Sequence, residues 1–182
     1  MKECYRLQVI GAACLLVAAK IEEIYPPKVR ELKKMVDGAD AQEICTAERA
    51  VLTALKFQVS VPTVFHFMKR YLKASEADLK LKALTMYIVE TALHDVKIVD
   101  FKPSILAAAA IRLGLTMCGL PQWTATLQKE TEYTPEMLTD CVGQLTRLLH
   151  MAATDDTMHA VHSKFSNSKF LEVAKIPMAP LA

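Results

Sequence analysis

From Val9 to Ala19 eleven consecutive residues are apolar or small, VIGAACLLVAA, and the chain then turns at once to KIEEIYPP. A helix that is apolar all round has no solvent face. It belongs at the centre of a bundle, where alanines let neighbouring helices approach closely. The run is too short to cross a bilayer, which takes about 20 apolar residues. Pro26 and Pro27 end it, since proline cannot continue a helix and pushes Tyr25 out of the α region. Lys20 is the harder residue, because it lies one turn beyond Leu16 and Val17 and one turn before Ile24.

Apolar spacings of three and four recur along the rest of the chain, with no convincing alternation of two, so the sequence predicts an all-α fold. Helices are expected over Arg6–Glu23, Lys28–Val36, Gln42–Leu55, Pro62–Leu72, Glu76–Leu93, Pro103–Met117, Pro121–Lys129 and Pro135–Ala152. Prolines suit the first helical position, and Asp40 with Glu43 reads as a capping box. The stretch from His159 to Ala182 lacks periodicity and is expected to run over the surface.

The chain resembles itself. IGAACLLVA from Ile10 matches ILAAAAIRL from Ile105 at an offset of 95, and an offset of 94 places Asp40, Ile44, Ala47, Val51 and Leu55 on Thr134, Leu138, Cys141, Leu145 and Leu149. Two helical bundles in tandem follow: three helices in residues 1–60, five in 61–155, then a tail over 156–182. By comparison with the second bundle, two helices are expected ahead of Leu7.

Bulk properties exclude more than they assign. With 52% hydrophobic residues among 182, a packed core is expected, and a net charge of +2 is too mild for a nucleic-acid surface. The clusters Lys28, Arg30, Lys33, Lys34 and Lys69, Arg70, Lys73 read as solvated helix faces. Five cysteines without a CxxC pair, three of them at helical spacing among apolar residues, suggest reduced core thiols and give a zinc site no support. The first twenty residues imitate a secretory leader, but Glu3, the odd cysteine count and the repeat argue against export. No phosphate loop, nucleophile elbow or HExxH pair occurs. The five histidines are scattered, and Trp123 reads as a core residue.

On the third helix Ile44, Ala47, Val51, Leu52 and Leu55 form an apolar stripe with Glu48 inside it. A charge there must be paired or reach water. The second half carries no such pair: Lys20 maps near Leu115, and Glu48 near Val142 or Gly143. Three readings stay open from the pattern: an internal Lys20–Glu48 bridge at a core edge, two side chains reaching separately for solvent, or a pair that orients a partner protein.

LQVIGAACLLVAAKIEEIYPP strongly resembles the cyclin-box signature of mitotic cyclins. AERAVLTALKF resembles a later helix of the same box, while VPTVFHFMKRY, YTPEML, KPSILAAAA and KFSNSKF are similar to matching parts of A-type cyclins. The resemblance runs from Leu7 to about Pro177 and implies two tandem cyclin-box bundles, the first incomplete. It further implies a non-catalytic regulatory subunit that binds and allosterically activates a cyclin-dependent protein kinase in cell division. Such a protein works inside the cell, in nucleus and cytoplasm, without a cofactor, metal, nucleic acid or membrane.

In that family the lysine and glutamate at Lys20 and Glu48 contact the kinase main chain. Apolar neighbours, here Ile21, Ile24, Leu52, Phe57 and Val59, pack against the kinase's mobile regulatory helix. Ile21 stands where an aromatic is usual, which implies a smaller contact. Leu7 and Gln8 match part of a groove that docks substrates or inhibitors. The rest of that groove belongs to the two upstream helices, so only a partial groove is expected. Two alternatives accompany this reading: a tandem cyclin fold that binds DNA in the manner of a general transcription factor, and an inactive truncated cyclin.

Overall fold

The computed structural model describes residues 2–121, 123–154 and 159–177, with side chains from Arg6 onward. All regular elements among the described residues are helical. The chain divides into two compact units, residues 1–61 and 62–182, each described here by itself.

The first unit holds α1 (Lys2–Glu22), α2 (Val29–Leu32) and α3 (Ala41–Ala54). Val9, Ala12 and Leu16 lie on one face of α1 at spacings of three and four, and pack with Leu32, Val36, Ala39 and Ile44 into a small core. The helix expected over 28–36 is a single α turn continued by a 3-10 turn, Lys33–Met35. Asp40 caps α3 as expected, its own N–H donating to Glu43 Oε2 at 2.9 Å.

At its far end α3 closes in a Schellman motif. The Phe57 N–H donates to the Leu52 carbonyl and the Lys56 N–H to the Thr53 carbonyl. Lys56 and Phe57 both take left-handed backbone, with φ of 50° and 58°.

The second unit comprises α4 (Val64–Ala74), α5 (Leu79–Ala92), α6 (Pro103–Met117), α7 (Ala125–Thr131), α8 (Thr139–Thr154) and α9 (His159–Phe165). α6 has the expected bounds, and Ala107, Ala108, Ala109 and Ala110 are all fully buried against α4, α5 and α8. Such a run of small side chains allows close packing on several sides of one helix.

Of the prolines expected at first helical positions, only Pro103 occupies one. Elsewhere a capping side chain decides the start. Asp78 accepts from the Leu81 N–H and Thr124 from the Leu127 N–H, which moves α5 and α7 three or four residues later than expected. Pro135 begins a 3-10 turn, Glu136–Leu138, ahead of α8.

The tail departs from expectation most. Phe165 and Val173 are fully buried in the core of the second unit, and Phe165 sits 5.4 Å from the Tyr87 ring and 4.8 Å from Phe170. Periodicity hid this, because left-handed backbone at Leu171 and Glu172 separates the two short turns that follow α9, Ser168–Phe170 and Val173–Lys175, and breaks the repeat there. Lys164 fastens the tail by donating to both carboxylate oxygens of Glu90 on α5, at 2.7 and 2.8 Å. Residues 155–158 and 178–182, also part of the expected tail, lie outside the described residues.

The thiols divide by environment. Cys141 is buried, and burial pushes its pKa up to about 12; burial also raises that of half-buried Cys118. Cys14, expected in a core, is exposed on α1, and the Cys4 side chain lies outside the described residues. Trp123 is half-buried, its indole N–H donating to the Tyr133 carbonyl at 2.8 Å.

Candidate functional site

Lys20 and Glu48 meet inside the first unit. Lys20, in the last turn of α1, donates from Nζ to Glu48 Oε1 of α3 at 2.6 Å. Their side chains are 50% and 12% exposed, so the carboxylate is largely sheltered while the ammonium still faces water. The bridge is therefore the first of the three sequence readings in geometry, and its half-open setting leaves it accessible to a partner as well.

Apolar residues follow each partner along its own segment. Ile21 is 45% exposed, Ile24 88% and Phe57 70%, while Leu52 and Val59 are half-buried. Each has a local cause. Ile24 follows the end of α1, where the approach to Pro26 and Pro27 keeps the backbone from folding back on the core. Phe57 is carried outward by the Schellman turn, in a backbone region that bulky side chains rarely adopt.

The stripe expected on α3 is thus buried at one end only. Ile44 is fully buried, Ala47, Val51 and Leu52 are half-buried, and Leu55 is 48% exposed. Leu55 reads as core by spacing; the structure adds it to the open surface, together with Tyr25 at 92%. For Tyr25 the signal was the double proline behind it. For Leu55 no signal exists in the spacing, because a stripe that meets a partner and one that meets its own core look alike.

Leu7 and Gln8 are both exposed on α1, Leu7 at 70%. The basic clusters around Lys33 and Lys69 lie at the surface, with Arg70 paired to Glu130 at 3.2 Å. Among the described residues no helix is long and apolar enough to cross a membrane, and no group of three His, Cys, Asp or Glu is placed to hold a metal.

The internal repeat makes the asymmetry plain. Leu115, the counterpart of Lys20, is buried in the second unit's core, and Leu149, the counterpart of Leu55, is 1% exposed. One unit seals a surface that the other leaves open around a charge pair.

The family profile for the cyclin N-terminal domain matches residues 1–60, and that for the cyclin C-terminal domain matches residues 62–179. The chain belongs to the cyclin family. Cyclin-B2-2 of Arabidopsis thaliana is 36% identical over 171 residues, covering 93% of this chain and 40% of the relative. The G2/mitotic-specific cyclin-A of Hydra viridissima is 38% identical over 169 residues, covering 91% and 40%. This cyclin thus spans about two fifths of the length of the curated relatives it matches. Among solved structures, a viral cyclin from herpesvirus saimiri shares the fold with a TM-score of 0.70 at 22% identity, over 80% of this chain and 66% of that one.

Proposed function

We propose that this cyclin binds a cyclin-dependent protein kinase through the open face of its first unit and shifts that kinase toward its active conformation. The observation that carries the reading is the Lys20–Glu48 pair, 2.6 Å apart, followed along the chain by the exposed side chains of Ile21 and Ile24 after Lys20 and of Leu55 and Phe57 after Glu48. An exposed apolar patch rimmed by polar groups is what an interaction site looks like on a folded surface. Buried apolar anchors supply most of the affinity at such a site, and charged groups at its edge set orientation. The mitotic names of the relatives and the cyclin-box resemblance supply the kind of partner.

The mechanism is allosteric and the cyclin does no chemistry. Ile21, Ile24, Leu52, Phe57 and Val59 would hold the kinase's regulatory helix, so that the kinase's catalytic Lys–Glu pair and activation segment reach their working arrangement. Activation follows only if the cyclin binds the active arrangement more tightly than the inactive one. Phe57 suits this role because its backbone is already set in the exposed conformation, so less ordering remains to be done on binding.

The test is phosphorylation of a generic histone substrate by a purified monomeric cyclin-dependent kinase, with and without this chain and with a Lys20→Ala, Glu48→Ala double variant. Activation by the chain that collapses in the folded variant supports the reading. A kinase that neither binds nor responds removes it.

A further inference from the structure

In the second unit, the turn between α4 and α5 and the segment joining α6 to α7 border a cavity of about 260 Å³. Its lining sorts by depth. Leu81, Leu115 and Leu127 are buried and make an apolar floor, while Glu76, Asp78 and Thr124 are exposed and stand toward the solvent.

Four helix ends shape this cavity. α4 and α6 close through the left-handed residues Glu76 and Gly119. α5 and α7 open on side-chain caps, Asp78 Oδ1 accepting from the Leu81 N–H at 2.7 Å and Thr124 Oγ1 from the Leu127 N–H at 3.2 Å. Two helices end and two begin, so their end charges offset one another. The sign of the mouth is therefore left to side chains. Glu76 and Asp78 are the charged residues of the lining, and both are acidic. The Glu76 carboxylate has no hydrogen-bond or ion-pair partner among the described residues. Lys80, exposed two residues beyond Asp78, opposes them from outside; its charge and that of Asp78 both reach the Cys118 thiol, just past the end of α6.

We infer that this cavity binds a small primary ammonium ion with a short aliphatic tail. The tail rests on Leu81, Leu115 and Leu127, and the ammonium stays at the mouth against Glu76 and Asp78. Size sets the tail, since 260 Å³ lies below the about 300–1,000 Å³ of pockets that enclose drug-sized ligands. Charge sets the head. An anion meets two carboxylates, and a neutral molecule of the same shape gains the floor alone. An ammonium brings three donors to the carboxylates and to the remaining lone pair of Thr124. An apolar floor also fixes the orientation, because a charged head driven inward would lose its water without a partner. Every residue used lies in the second unit, so the inference stands whether or not the first unit binds a kinase.

The test is leucine-methyl NMR of the full chain, titrated at constant low ionic strength with 3-methylbutylammonium chloride. The neutral twin 3-methylbutan-1-ol and the anion 3-methylbutanoate are run beside it. The expected result is saturable shifts at the methyls of Leu81, Leu115 and Leu127, with the ammonium about tenfold tighter than the alcohol and the carboxylate weakest. Glu76→Gln, at an exposed position, should weaken the ammonium about threefold and leave the alcohol unchanged. Lys80→Ala should tighten it. Absence of saturable shifts overturns the inference. Equal binding of the alcohol, shifts confined to other leucines, or an ammonium Kd unmoved in the folded Glu76→Gln protein overturn it as well.

Discussion

Lys20 and Glu48 are 28 residues apart in sequence and 2.6 Å apart in space, joined at a point where one side chain is half open and the other nearly closed. An ion pair with one member this exposed contributes little to stability, about 0–1 kcal/mol. Lys20→Ala is therefore expected to lower the unfolding free energy, read from the urea midpoint at unchanged m-value, by less than about 1 kcal/mol. Kinase activation by the same protein should fall by an order of magnitude or more. A stability loss that fully accounts for the lost activation would assign the pair to folding alone.

Three helices end alike, and only one uses the residue that the geometry prefers. The α3, α4 and α6 termini all pair a 6→1 with a 5→2 hydrogen bond, and the left-handed position holds Lys56, Glu76 and Gly119 respectively. Left-handed backbone is unfavourable for a residue with a Cβ and free for glycine. Lys56→Gly and Glu76→Gly should each stabilise by about 1 kcal/mol, and Gly119→Ala should destabilise by a similar amount. Urea titration of the three variants reads this directly.

The all-helical chain and the bounds of α6 were legible in the pattern: Pro103 starts the helix, and apolar or small residues run from Ile105 to Met117, interrupted only by Arg112 and Thr116. Lys20 and Glu48 were legible because a charge on an apolar stripe is conspicuous. Exposure at Leu55 and Phe57 was not, since apolarity states that a side chain will be covered but not by whom. The tail was hidden for a different reason. Phe165, Phe170 and Val173 join one core region from a helix and two tight turns, and no single period links them.

Phe165 offers the largest single handle on the second unit. It is fully buried against Tyr87 and Phe170. Phe165→Ala should cost about 3–5 kcal/mol, the usual range for deleting a buried aromatic ring. Thermal melts would show the tail to be structural by this loss, and superficial if the change were under about 1 kcal/mol.

Cys141 makes stability fall in alkali. Its thiol keeps its proton in the folded state up to about pH 12, whereas an unfolded thiol loses it near pH 9. The contribution is whole below pH 9 and is lost as pH rises to about 12, because over that window the unfolded chain binds fewer protons. Burial raises Tyr87 in the same direction. The urea midpoint should decline over this window, less steeply in Cys141→Ala. At about pH 8 a thiol reagent should modify exposed Cys14 readily and Cys141 only on unfolding.

Two runs of letters that read almost alike, IGAACLLVA and ILAAAAIRL, would behave as opposites in a saturation scan. The four alanines of α6 from Ala107 to Ala110 are sealed on every side, so even one added methyl must displace a neighbour. On α1 the corresponding stretch alternates between sealed Ala12 and Ala13 and open Cys14 and Leu15. Tolerance to substitution would there rise and fall with the turn of the helix, and a library of variants could chart the uncovered side of the first unit from survival alone.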